Sequence, residues 1–107
     1  MIEKERGGTG MTVRFRIPGQ AAAESASVLG DFNDWSPSAH EMVRDEDGFV
    51  VEIVLPPGRS YRFRYLLDGH RWENDWAADA YVPNEFGGDD SVVDLTGSSS
   101  SNGARAV

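Results

Sequence analysis

Cysteine is absent from this chain, which excludes a disulfide framework and a thiolate metal site. Lysine is nearly absent. Lys4 and nine arginines stand against eighteen Asp and Glu, for a net charge of -8 and a pI of about 4.5. A field of that sign repels phosphate, so nucleic acid and anionic membrane surfaces are not expected partners. No apolar run approaches the ~18 residues of a membrane span. The opening Met1-Ile2-Glu3-Lys4-Glu5-Arg6 lacks the apolar stretch of a signal peptide, and a cytoplasmic protein is expected. Histidine is scarce too. His40 and His70 stand alone, without metal-site spacing, and read as surface or turn residues. Gly7-Gly8-Thr9-Gly10 lacks the Lys-Ser/Thr that completes a phosphate loop. No cofactor and no metal are therefore expected. At 107 residues the chain is one small domain, far short of the about 250 residues of a (β/α) barrel.

A helical period is missing as well. What is present is period two. Val13, Phe15 and Ile17 alternate with Thr12, Arg14 and Arg16 until Pro18-Gly19. Phe49, Val51, Ile53 and Leu55 form a second alternating run, stopped by Pro56-Pro57-Gly58, and Tyr61, Phe63, Tyr65 and Leu67 a third. Ser25–Gly30, His40–Arg44, His70–Trp76 and Ser91–Leu95 are further candidate strands. Asp47-Gly48 and Asp68-Gly69 lie between strand-like runs, a strong hairpin signal. The expected fold class is all-β, an immunoglobulin-like antiparallel β-sandwich, with an open barrel as the alternative. Residues 1–10 read as a flexible arm, 11–95 as the domain, and 96–107 as a disordered Gly/Ser tail.

The close carboxylate pairs Asp31/Asp34, Glu73/Asp75 and Asp89/Asp90 fall in turns or at strand ends. Aspartates there cap backbone amides and face water, whereas a glycosidase sets its two carboxylates about 5–10 Å apart across a cleft. Asp45-Glu46-Asp47-Gly48 lacks the spaced ligands of a calcium loop and reads as a hairpin tip. No catalytic residue is assigned.

The aromatics carry more information. Phe15, Phe49, Tyr61, Phe63 and Tyr65 lie on the apolar phase and are core candidates. Trp35 and Trp72 sit among polar neighbours. Each could stack on the C–H face of a sugar ring or fold back over a sandwich edge, and alternation does not choose between these. Trp76, followed by Ala77-Ala78, reads as structural. Arg64 is out of phase with the core residues of its strand and points outward.

Three segments resemble one family. Leu29-Gly30-Asp31-Phe32-Asn33-Asp34-Trp35, the run Tyr61 to Trp72, and Phe86-Gly87-Gly88-Asp89-Asp90-Ser91-Val92-Val93 are similar, in order, to motifs of carbohydrate-binding module family 48. That family includes the N-terminal early-set domains of isoamylases, branching enzymes and other family 13 glycoside hydrolases, and the glycogen-binding domain of the AMP-activated protein kinase beta subunit. The resemblance implies an immunoglobulin-like fold and a carbohydrate site at Trp35, Arg64, Trp72, Phe86 and Asp90. Trp72 follows its Asp-Gly turn by one residue more than the family pattern. Arg64 stands where the family has lysine, Gly88 where it has threonine, and Asp90 where it has asparagine. The second change removes a hydroxyl, and the third leaves an acceptor without a donor.

The function implied is a free-standing, non-catalytic module whose partner is an α-glucan polysaccharide or maltodextrin, such as glycogen. The alternatives are a non-binding scaffold or protein-interaction domain, and an accessory domain acting in trans with a glucan hydrolase or branching enzyme. The purified chain is expected to release no reducing ends from amylose above a heat-killed control. Release by pure protein would contradict the reading.

Overall fold

The computed structural model describes residues 2–7, 10–19 and 23–96. These residues form nine strands: β1 (Ile2–Gly7), β2 (Gly10–Pro18), β3 (Ala26–Gly30), β4 (Val43–Asp45), β5 (Gly48–Leu55), β6 (Ser60–Leu67), β7 (Arg71–Glu73), β8 (Ala80–Pro83) and β9 (Asp89–Asp94). They pair antiparallel into two sheets, β1-β2-β5-β4 and β3-β6-β9-β8, with β7 on β6. The result is an immunoglobulin-like β-sandwich.

The alternating runs set the inner faces. Val13 pairs with Ile53, Phe15 with Val51 and Ile17 with Phe49 in the first sheet. Val28 pairs with Tyr65, Gly30 with Phe63 and Tyr61 with Val93 in the second. Directly paired residues share a face, so these side chains meet between the sheets. Phe15 and Phe63 are fully buried, edge to face, with centroids 4.9 Å apart. All five aromatics expected in the core are buried, each contributing about 1.5–3 kcal/mol by leaving water.

The N-terminal segment departs from expectation. Residues 2–7, read as part of a flexible arm, form β1 on the edge of the first sheet. Its charges hid it, because cross-strand pairing rather than burial holds it. Arg14 bonds Glu3 at 2.9 Å and also Glu52, and Lys4 reaches Asp79 across the sandwich edge at 2.6 Å. Only Ile2 of β1 packs against the core. The candidate tail lies outside the described residues from 97 onward.

The expected strand His70–Trp76 is shorter, ending at Glu73. A buried polar knot takes over. Asp75 is 2% exposed, unlike a turn carboxylate facing water. Its Oδ2 accepts from the Tyr65 hydroxyl at 2.5 Å and its Oδ1 from the Ala77 amide at 2.7 Å. Its own amide donates to Ser91 Oγ at 2.9 Å, and its carbonyl accepts from the Tyr81 hydroxyl. Burial, then the Asp75 charge, push the Tyr65 phenol well above its usual range.

Asp68 and Gly69 both have positive φ (54° and 76°), as the β6–β7 turn requires. Asp68 Oδ1 also accepts the amides of Glu24 (2.8 Å) and Ser25 (3.0 Å), clipping the chain before β3 to this hairpin. Those two amides hold the Asp68 carboxyl below its ordinary value. Arg16 does the same for Asp45, and Thr96 for Asp94. A depressed folded pKa stabilises fully above the unfolded value of about 4, and the gain is lost as pH falls through the lower folded value. Urea midpoints should therefore fall from pH 7 to pH 3. Asp68→Ala should lower the midpoint at pH 7 more than at pH 3. An equal loss at both would contradict the linkage.

Candidate functional site

The second sheet also has an outward face. Ser27, Leu29, Arg62, Arg64, Leu66, Trp72, Asp90 and Val92 share it by register. At one end an open groove of about 750 Å³ is cut into it, within the size range of small-ligand sites. Arg62 and Arg64 of β6, Trp72 of β7 and Asp90 of β9 form its floor. Asp31 and Trp35 come from the loop after β3, and Pro83 to Phe86 from the β8–β9 hairpin.

The first loop is built for close approach. A side chain on Gly30 would overlap the Arg62 carbonyl and lie 2.8 Å from the Phe32 ring. With hydrogen there, β3 runs tight against β6. The Asp31 amide donates to the Arg62 carbonyl, and Asp31 Oδ2 accepts the Arg62 amide, both at 2.9 Å. Phe32 turns inward onto Phe15 (centroids 5.6 Å) and Tyr61 (6.2 Å). Asn33 accepts the Gly30 amide at 3.0 Å and donates to the Val28 carbonyl at 3.0 Å. Its Nδ2 also lies 2.9 Å from His40 Nδ1. Asp34 and Trp35 then take left-handed φ values of 57° and 58°. The turn closes by the Trp35 amide on the Gly30 carbonyl, 3.0 Å. The Trp35 indole N–H donates to Asp31 Oδ1 at 3.2 Å, which fixes the ring at the groove wall.

Trp72 is 44% exposed. The Arg64 guanidinium lies over its ring at 5.4 Å, a cation–π contact. Arg64 Nε is buried and has no hydrogen-bond partner among the described residues. Opposite stands Phe86, 85% exposed. Asn84 presents it: Oδ1 accepts the amides of Phe86 (2.9 Å) and Gly88 (3.1 Å), and Nδ2 donates to Asp90 Oδ1 at 3.0 Å.

The five residues singled out from the resemblance, Trp35, Arg64, Trp72, Phe86 and Asp90, all line this one groove. Asp90 does so from within. It is 6% exposed, bonded to Asn84 and 3.9 Å from Arg62, so its carboxylate is committed to the protein. Asp31, Arg62, Asn84 and Glu85 were not singled out. Arg62 shares the outward phase of Arg64, a signal that could have found it. Asn84 follows a strand, β8, that the alternation did not reveal. Trp76, read as structural, is instead 67% exposed and lies away from the groove.

A β-sandwich module with an aromatic groove on one sheet face is the class this architecture defines. The family model of carbohydrate-binding module 48 (isoamylase N-terminal domain) matches residues 8–82, well over half of the chain, and the chain belongs to that family. The match ends before Phe86 and Asp90. A 1,4-alpha-glucan branching enzyme of Novosphingobium aromaticivorans is 43% identical over 49 residues, 45% of this chain and 7% of the enzyme. The 1,4-alpha-glucan-branching enzyme 2-2, chloroplastic/amyloplastic, of Arabidopsis thaliana is 47% identical over 51 residues, 48% of this chain and 6% of the enzyme. A branching enzyme of Synechococcus elongatus is 36% identical over 56 residues, 49% of this chain and 7% of the enzyme. The chain thus spans less than a tenth of the length of these relatives.

Gly30→Ala is expected to cost about 2–3 kcal/mol by forcing β3 from β6. Asn33→Ala should cost about 1–3 kcal/mol through unpaired backbone groups. Trp72→Ala, at an exposed ring, should cost under about 1 kcal/mol. Urea unfolding of the three variants checks the order.

Proposed function

We propose that the module binds α-1,4-glucan in the groove between Trp35, Trp72 and Phe86, and performs no chemistry on it. The observation that carries this reading is the convergence of three aromatic rings, Trp35, Trp72 and Phe86, and the Arg64 guanidinium on one groove. Pyranose rings have apolar C–H faces and a polar hydroxyl rim. The indoles take the faces, and Arg64 donates to a hydroxyl. Phe86 reaches over the ring from the hairpin tip. Kinship with branching enzymes named for 1,4-alpha-glucan supports the choice of polymer. The same kinship supports a second reading, an accessory module acting with a glucan-active enzyme. That reading uses the same groove.

Binding should be weak, with a Kd of roughly 10⁻⁵ to 10⁻³ M for maltoheptaose, or about -4 to -7 kcal/mol. Each hydroxyl bond replaces one to water, so its net gain is on the order of 1 kcal/mol. Salt should hardly change the affinity, because the ligand carries no charge. Calorimetry should show binding whose affinity Trp35→Ala or Trp72→Ala lowers tenfold or more, that is, by about 1.4 kcal/mol or more. Gly88→Thr should tighten binding. Position 88 lacks the positive φ of Gly87, and an added Cβ meets only Asn84 Nδ2, at 3.8 Å. No heat at millimolar ligand with folded protein would favour the scaffold alternative, and strong salt dependence would point to an anionic ligand.

A further inference from the structure

A second cavity, of about 320 Å³, lies at the end of the sandwich where Ile17 and Pro18 of β2 come close to Tyr65 and Leu67 of β6. Trp76 stands on its wall, 67% exposed. The short strand β7 divides this cavity from the groove. Trp72 pairs with Leu66 and takes the outward phase, whereas Arg71 and Glu73 pair with Leu67 and Tyr65 and take the opposite one. Trp72 therefore lines the groove, and its two neighbours line the cavity.

We propose that Trp76 is a second, separate stacking site for a neutral pyranose ring, holding a short stretch or the end of a glucan chain. The choice of α-glucan as the source of that ring rests on the reading of the groove. The geometry of the site does not. Four hydrogen bonds around Asp75, from Tyr65, Ala77 and Tyr81 and to Ser91, pin the backbone beside Trp76 before any ligand arrives. The ordering cost of binding is thereby reduced. The charged lining, Arg16 and Arg71 against Glu73 and Asp75, is balanced in sign, and the Asp75 carboxylate is occupied by Tyr65 and Ala77. Arg16 bonds Asp45 at 2.9 Å, and Arg71 lies 3.8 Å from Glu73. An ion would meet charges already paired or hydrogen-bonded, whereas a ring with hydroxyls meets an apolar floor with donors and acceptors around it. Two sites on one small module would hold two segments of a branched polymer. Retention on the polymer would then exceed what either site gives a short oligosaccharide.

The test follows the indole N–H signals of Trp35, Trp72 and Trp76 by NMR, assigned with single Trp→Phe variants, while maltotriose is added to the wild-type and Trp72→Ala proteins. The Trp76 signal should move in both, in the millimolar range. Trp76→Ala should reduce retention on amylopectin beads about tenfold or more, with the melting temperature and the Trp72 titration unchanged. A still Trp76 signal beside moving Trp35 or Trp72 signals would overturn this inference and leave the groove standing, and the Trp76 face would then be tested for protein contact. Movement of Trp76 in wild type but not in Trp72→Ala would overturn its independence. Movement of Trp76 alone would support this site and overturn the groove. No movement at any of the three would overturn both. If Trp76→Ala does not fold, the wild-type and Trp72→Ala titrations still decide.

Discussion

At Gly30 the two strands β3 and β6 come closer than any side chain would permit, since a Cβ there would overlap the Arg62 carbonyl. Much of the groove follows from that contact. It lets Asp31 bond both backbone groups of Arg62, which sets the height of the loop above the sheet. It leaves room for Phe32 to drop onto Phe15. It also sets Asn33 where its side-chain amide bonds β3 at both Val28 and Gly30. Trp35, with its left-handed backbone, is then held at the wall without burying its ring in the core. The glycine, phenylalanine and asparagine of this turn serve to present one indole.

The same division of labour recurs at the other aromatics. Phe86 is exposed, yet its hairpin is bound through Asn84. Trp76 is exposed, yet it follows the buried Asp75. Trp72 lies on a three-residue strand paired with Leu66. In each case a satisfied polar group or a ladder holds the backbone, leaving the ring in solvent. An exposed ring on a rigid support loses little entropy when a ligand covers it.

Charge acts differently. The chain is strongly acidic, but many of its arginines bond carboxylates across strands, as Arg14 does with Glu3 and Glu52 and Arg16 with Asp45. Exposed pairs of this kind add little stability, because water screens them. Their effect here is on register and on edge protection: β1, with four charged residues among its six, pairs with β2 and covers its edge. In the groove, Arg62 is drawn toward Asp90, whereas Arg64 lies on Trp72. Neighbouring guanidiniums of one strand thus have different surroundings.

The sandwich and its aromatic core were legible in the sequence, because alternation is local and each strand reports its own inner face. Phe15, Phe49, Tyr61, Phe63 and Tyr65 could be assigned one strand at a time. The motif Gly30 to Trp35 was legible by resemblance, and the family match agrees with it. Strands β1 and β8 were not legible, since pairing with β2 and β9 holds them and little of either is buried. Nor was the exposure of Trp76 or the burial of Asp75, which depend on Tyr65, Tyr81 and Ser91 arriving from other strands. Which outward residues share a groove was likewise decided by tertiary structure. Trp35, Arg64, Trp72 and Phe86 lie on separate segments, and only the register of β3, β7 and β9 on β6, and of β8 on β9, brings them to one face. Period two tells a strand which side chains face out, but a strand's position in the sheet depends on hydrogen bonds to residues far along the chain.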